Sequence, residues 1–112
     1  MATNIRWLDL MSSENAPPGS TRSVTLMEGR FLVVRAPAGL FILDDRCPHQ
    51  EQSLVGGDIE GSALVCPFHS VRIDLLTGNV LYDMGFIGLP KVRVFSAKEE
   101  QGRIFAGIPE TC

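Results

Sequence analysis

Cys47-Pro48-His49 is followed, after residues 50–65, by Cys66-Pro67-Phe68-His69, and these two short stretches decide how the rest of the chain is read. The chain has two histidines and three cysteines. Both histidines and two of the cysteines fall into the two matching clusters, which residues placed for packing alone would not do. Thiolate is soft and imidazole borderline, and together they narrow the metal to iron–sulfur or zinc. Zinc sites of the two-cysteine, two-histidine kind usually present a cysteine pair and then a histidine pair, whereas each stretch here offers one of each. A two-iron centre in which one iron takes two thiolates and the other two imidazoles is gripped well by two such loops. Cys47, His49, Cys66 and His69 are therefore the candidate ligands, with zinc as the alternative metal. Pro48 and Pro67 fix their own φ and bias Cys47 and Cys66 toward extended backbone, which orients the flanking ligands.

The order Cys-x-His, spacer, Cys-x-x-His resembles the Rieske family, and every position of that pattern is filled. The resemblance extends beyond the ligands. Asp44 to Cys47 leads into the first loop, Gly56-Gly57-Asp58-Ile59-Glu60-Gly61 follows it, and Arg72-Ile73-Asp74-Leu75-Leu76-Thr77-Gly78 leaves the second. It covers roughly residues 5 to 108. It implies a [2Fe-2S] cluster held by Cys47, His49, Cys66 and His69, with the outer histidine nitrogens at the surface as the route for an electron. It also implies a base sandwich or small barrel with an inserted cluster-binding subdomain from about Asp44 to Leu75. Phe68, Leu54 and Pro67 are expected to keep water off the cluster. Asp44, Asp45, Glu51 and Asp58 are expected to give its surroundings a negative cast that suits a basic patch on a partner.

Charge arithmetic gives the expected chemistry. Two thiolates neutralise the formal charge of two ferric ions and two sulfides, so one electron leaves the centre singly negative. An all-cysteine centre starts doubly negative and is harder to reduce, hence a range of about −150 to +300 mV against about −400 mV for plant-type ferredoxins. In high-potential members each cluster loop carries an extra cysteine, and the two form a disulfide; Gln52 and Phe68 stand at those positions. Those members also place hydroxyl donors to the cluster sulfurs where this chain has Val71 and Ile73, leaving Ser70 as the one nearby hydroxyl. The expected potential is at the low end, around −150 mV. With all four ligand positions filled, and no nucleophile–base pair or carboxylate dyad elsewhere, the chain reads as a carrier and not a catalyst.

With 112 residues and 45% hydrophobic content, one domain spanning 1–112 is expected, large enough to bury a core without disulfides. The net charge of −3 and pI near 5.3, without basic runs, argue against nucleic acid or an anionic membrane as partner. The apolar runs at Gly29–Val34 and Gly39–Leu43 are too short to span a bilayer, and Met1–Trp7 lacks a secretory pattern; a cytoplasmic location is expected. Cys112 reads as an exposed terminal thiol without a role. Gly56-Gly57 is followed by neither a lysine nor a helix pattern, which excludes a phosphate cradle.

The remaining pattern is short strands separated by turn residues, and no window sustains a 3.6-residue apolar period, so the class is all-β. A first strand at Ile5–Leu10 is expected to turn Ile5, Trp7 and Leu10 inward, and Met11–Gly19 to form a surface connection. Ser20–Met27, Arg30–Arg35 and Leu40–Leu43 form a meander. Ala63–Val65, Val71–Leu75 and Val80–Tyr82 are strands around the second cluster. Lys91–Phe95, a turn at Lys98–Gly102 and Arg103–Ile108 form the closing hairpin. Three functions fit. One is a Rieske ferredoxin between a flavin-dependent reductase and a terminal oxygenase. The second is a small subunit similar to that of NAD(P)H-dependent assimilatory nitrite reductase, beside a large sirohaem subunit. The third is a structural module holding zinc or no metal.

Overall fold

Phe31, Leu32, Val33 and Val34 are consecutive and all buried, so the strand that carries them is covered on both faces. The computed structural model describes residues 4–46, 53–67, 71–82 and 91–110. Within them run β1 (Asn4–Ser12), β2 (Thr21–Leu26), β3 (Gly29–Ala36), β4 (Gly39–Asp44), β5 (Asp58–Glu60), β6 (Ala63–Val65), β7 (Arg72–Asp74), β8 (Val80–Tyr82), β9 (Val94–Glu100) and β10 (Arg103–Glu110). A 3-10 turn at Ser13–Asn15 is the one helical element among the described residues. None of their helices is long and apolar enough to cross a membrane.

The strands form two antiparallel sheets. The base sheet has the order β1-β10-β9-β4-β3-β2, and the small sheet the order β5-β6-β7-β8. One core unites Leu8, Leu10 and Met11 of β1 with Ile104 and Ala106 of β10 and with Phe31, Val33 and Ile42 of β3 and β4. Strands from opposite edges of one sheet share this core, so the sheet curls around it. The other face of β3–β4 contributes Leu32, Val34, Ala36 and Leu43 to a second core with Leu54, Leu64, Cys66, Val71, Ile73, Leu75 and Val92. This second core fastens the small sheet to the base. Each fully buried leucine in it stabilises the joint by roughly 2 kcal/mol. The all-β class and the meander β2–β3–β4 agree with the sequence.

Three local expectations are corrected. Ile5 and Trp7 face outward, 46% and 38% exposed, while Leu8 and Leu10 point in. A bulge between Asp9 and Met11, opposite Phe105 and Ile104, lets the adjacent Leu10 and Met11 both reach the core. Trp7 instead lies under the Lys98 ammonium, 4.4 Å from the ring centre, a cation–π contact that an outward aromatic on an edge strand can use. Lys98, Glu99 and Glu100 belong to β9 and not to a turn. The reversal is the two residues Gln101 and Gly102, both at positive φ (50° and 75°), as a tight hairpin with primed geometry requires. The connection after β1 begins at Ser13, since Met11 and Ser12 still pair with β10.

Gly78 secures the far end of the small sheet. Its φ is +79°, and a Cβ there would lie 1.8 Å from the Val92 carbonyl oxygen. The glycine N–H donates to the Asp74 carbonyl at 2.7 Å, and Val92 N–H donates to the Gly78 carbonyl at 2.8 Å. Asp74 also accepts from Leu76 N–H at 2.9 Å and from the Thr77 hydroxyl at 3.1 Å. The run Asp74-Leu75-Leu76-Thr77-Gly78 is thus one turn closed by its own side chains.

Arg35 on β3 grips Glu99 on β9 with two parallel bonds of 3.0 and 2.8 Å, and its Nε donates to the Ala16 carbonyl at 3.1 Å. The guanidinium holds the Glu99 carboxyl at about 2, below its ordinary 4.5. A carboxyl depressed on folding stabilises the fold above its unfolded pKa and loses that contribution as pH falls from about 4.5 toward 2. The pair is partly solvated, which limits its contribution to about 0.5–1 kcal/mol. Urea unfolding at a series of pH values should show the wild type losing about that much more stability than Glu99→Gln between pH 5 and pH 2.

Candidate metal centre

The register of the small sheet brings to one end of it the residues at which the chain returns from the first expected ligand stretch and enters and leaves the second. Asp58, which resumes the chain after the first stretch, pairs with Val65, which leads into Cys66. Val65 in turn pairs with Arg72, where the chain returns from the second stretch. The Cys66 N–H donates to the Val71 carbonyl at 2.8 Å and closes the base of that second loop. The Asp58, Val65 and Arg72 ends of three short strands therefore lie at one level. Gly57 permits the approach: a Cβ there would lie 2.5 Å from the Val65 carbonyl oxygen and 3.2 Å from that of Leu54.

Cys66 is 1% exposed and packs in the second core. It is the member of the expected ligand set that the described residues include; Cys47, His49 and His69 lie outside them, as do Cys112, Glu51, Gln52, Phe68 and Ser70. The donor chemistry at Cys66 fits a [2Fe-2S] cluster. A thiolate buried among Leu54, Leu64 and Val71 needs a cationic partner, and a centre whose oxidised form is neutral is the least costly to hold there. Leu54 is fully buried as expected, whereas Pro67 is exposed.

The residue that sequence reasoning missed is Asp45. It was expected on the surface as part of an acidic neighbourhood, yet it is fully buried. Its Oδ1 accepts from Leu54 N–H at 2.7 Å and its Oδ2 from the Ser53 hydroxyl at 2.7 Å. The Ser23 hydroxyl on β2 donates to the same Oδ2. Arg30 Nε donates to the Asp45 carbonyl at 2.9 Å and lies 3.6 Å from Oδ2. One carboxylate therefore ties the outgoing limb of the first loop, at Asp45, to its returning limb at Ser53 and Leu54. The returning limb is also held by a bond of 2.7 Å from Gly56 N–H to Thr21 Oγ1. The expected acidic cast is reduced accordingly: Asp45 is sequestered, and Asp44 lies 3.7 Å from Arg46.

Asp45→Ala removes the acceptor of a buried amide and the counter-charge of Arg30, and the loss expected is about 3 kcal/mol. Asp45→Asn keeps an acceptor for Leu54 N–H and should lose less. Urea unfolding, with iron content measured on the same samples, checks both the order and the size of these effects.

A model of the Rieske [2Fe-2S] domain matches residues 6–86. The ferredoxin component of a naphthalene 1,2-dioxygenase system from Pseudomonas aeruginosa is 31% identical over 77 residues, 68% of this chain and 73% of that protein. A cholesterol 7-desaturase from Ciona intestinalis is 40% identical over 70 residues, 61% of this chain, but the match spans only 15% of the desaturase. Among solved structures, a chain assigned as the NADH-dependent nitrite reductase small subunit of Mycobacterium tuberculosis superposes with a TM-score of 0.82 at 17% identity, covering 96% of this chain and 99% of that one; at that identity the likeness is one of fold. A buried cysteine just past the end of β6 and a domain match across most of the sequence agree: the chain belongs to the Rieske [2Fe-2S] domain family, and its cofactor is a [2Fe-2S] cluster.

Proposed function

We propose that this chain is a one-electron carrier in which Cys47 and Cys66 hold one iron and His49 and His69 the other. It would pass electrons from a flavin- or nicotinamide-linked reductase to a terminal oxygenase, as a single cytoplasmic domain spanning 1–112. The observation that carries this reading is buried Cys66 just past the end of β6, closed by its N–H bond to the Val71 carbonyl and level with Asp58, where the chain resumes the small sheet after the first stretch. The naphthalene dioxygenase ferredoxin component supports the oxygenase as acceptor, because this chain matches nearly three quarters of that protein. The desaturase match spans 15% of that enzyme, so the enzyme's activity is not carried over to this chain. A second reading, a small subunit beside a sirohaem nitrite reductase, draws on the end-to-end fold match to the Mycobacterium tuberculosis chain.

When bound, the cluster supplies one-electron storage near neutral charge. The chain's own residues set the ease of reduction. Val71 and Ile73 are fully buried and apolar, so neither offers a hydroxyl to stabilise added negative charge on a cluster sulfur. Protein-film voltammetry at neutral pH should give a midpoint near the low end of the Rieske range, around −150 mV. A value above about +100 mV would contradict this.

Alanine at Cys47, His49, Cys66 or His69 should abolish the low-temperature EPR signal of the dithionite-reduced protein, and Cys112→Ser should leave it intact. A full complement of iron and sulfide in Cys66→Ser, with loss in Cys112→Ser, would overturn the ligand set. Anaerobic purification of a colourless protein with stoichiometric zinc would move the site to the zinc alternative.

A further inference from the structure

Where β4 runs into the first ligand loop, the inner core of the curled sheet opens to solvent. Phe31, Phe95 and Ile108 floor a cavity of about 260 Å³ at this end, with the two phenyl rings packed edge to face at 5.1 Å between centroids. Its rim is charged and drawn from neighbouring strands: Arg30 opens β3, Asp44 and Arg46 follow the end of β4, and Arg93 precedes β9, with Glu28 at the β2–β3 turn. Among the described residues the charged groups that line it are Arg30, Arg46 and Arg93 with Glu28 and Asp44, in a chain of net charge −3. Glu28 is matched by Arg6 at 3.0 Å and Asp44 by Arg46 at 3.7 Å. Among the described residues Arg93 has no carboxylate against it; its guanidinium lies over the Phe95 ring, 4.8 Å from the centre. Met27, at the tip of the adjoining turn, is fully exposed.

We propose that this mouth is the docking surface for the redox partner, and that it receives a carboxylate side chain from an acidic patch on that partner. The inference rests on the carrier reading and names its partner's chemistry. A guanidinium stacked on an aromatic ring over an apolar floor, with an exposed methionine beside it, has the composition that protein interfaces favour. The volume lies below the usual range for small-molecule sites, roughly 300–1,000 Å³, and suits one inserted side chain. Arg46 immediately precedes Cys47 in the sequence, so a partner seated here engages the residue that leads into the first ligand stretch. The Arg93 guanidinium, with no carboxylate against it among the described residues, also orients the approach of an acidic patch, because steering depends on where a charge lies and not only on the sum over the chain.

The test uses gold surfaces coated with carboxylate-terminated or ammonium-terminated monolayers, on which both adsorbed mass and the rate of one-electron exchange with the protein are read. At low ionic strength the wild type should adsorb and exchange electrons faster on the carboxylate surface despite its net negative charge. Arg93→Glu and Arg46→Glu should each lower that rate about tenfold, and about 0.5 M salt should erase the difference. Arg22→Glu, the same charge change at an exposed position on β2, should leave the preference in place. Preference for the ammonium surface, or an Arg22→Glu effect as large as that of Arg93→Glu, would overturn the proposal. Adsorbed mass decides docking by itself, so a protein that adsorbs as expected but passes no current sinks the carrier reading and not the docking site.

Discussion

Burial of β3 and β4 on both faces is the constraint on which the rest of the structure depends. Phe31, Val33 and Ile42 fill the curl of the base sheet, and Leu32, Val34 and Leu43 fill the joint with the small sheet. Side chains alternate along a strand, so a slip of one residue in the β3–β4 pairing would exchange these two sets at once. The register Leu32 to Leu43 and Val33 to Ile42 therefore fixes where the small sheet docks, and with it the position of Cys66. A cluster site made of short strands, three residues each, has little pairing energy of its own. It takes its rigidity from the two longest-buried strands beneath it.

The first loop is held differently. Its limbs are joined by the Asp45 carboxylate, which accepts bonds from both the base and the loop. A buried carboxylate without donors would be strongly unfavourable, and with them it becomes a fixed point that tolerates little displacement. An apolar residue could fill the same volume and leave Leu54 N–H and the two hydroxyls without a common acceptor. The base of the second loop is closed instead by the ladder of β6 and β7, which continues through the bond from Cys66 N–H to the Val71 carbonyl.

Much of this was legible in the sequence for identifiable reasons. The Rieske family and the strands around Cys66 were readable because metal chemistry restricts the residue types in the two motifs and glycine and proline mark the turns. Inward and outward faces at the N-terminus were not, because a bulge at Asp9–Met11 changes the alternation, and no residue type announces a bulge. The run Lys98-Glu99-Glu100 looked like a turn because it is charged; it is an exposed stretch of strand, and the turn is carried by Gln101 and Gly102 alone. The small sheet continues past Leu75, the expected limit of the subdomain, to Tyr82, since β8 closes it beyond the Asp74–Gly78 turn. Asp45 was unreadable for a deeper reason. Its donors come from positions 23, 30, 53 and 54, and only the folded chain brings them to one point.

The separation of the two cores has a consequence for how stability and cofactor are linked. Among the described residues the core inside the curl is built from Leu8, Leu10, Met11, Ala16, Phe31, Val33, Ile42, Ile104 and Ala106, none of them a candidate ligand, so the base sheet buries this apolar surface without drawing on Cys66. The second core contains Cys66 as one of its packing residues, and the same side chain that fills the joint is the one expected to bind iron. Under the proposed ligand set, metal binding and docking of the small sheet would be the same local event, while the base stands apart from it. A fold arranged in this way confines the disturbance of an empty site to the small sheet and its loops. It leaves intact the mouth lined by Phe31, Phe95 and Arg93, which belongs to the base.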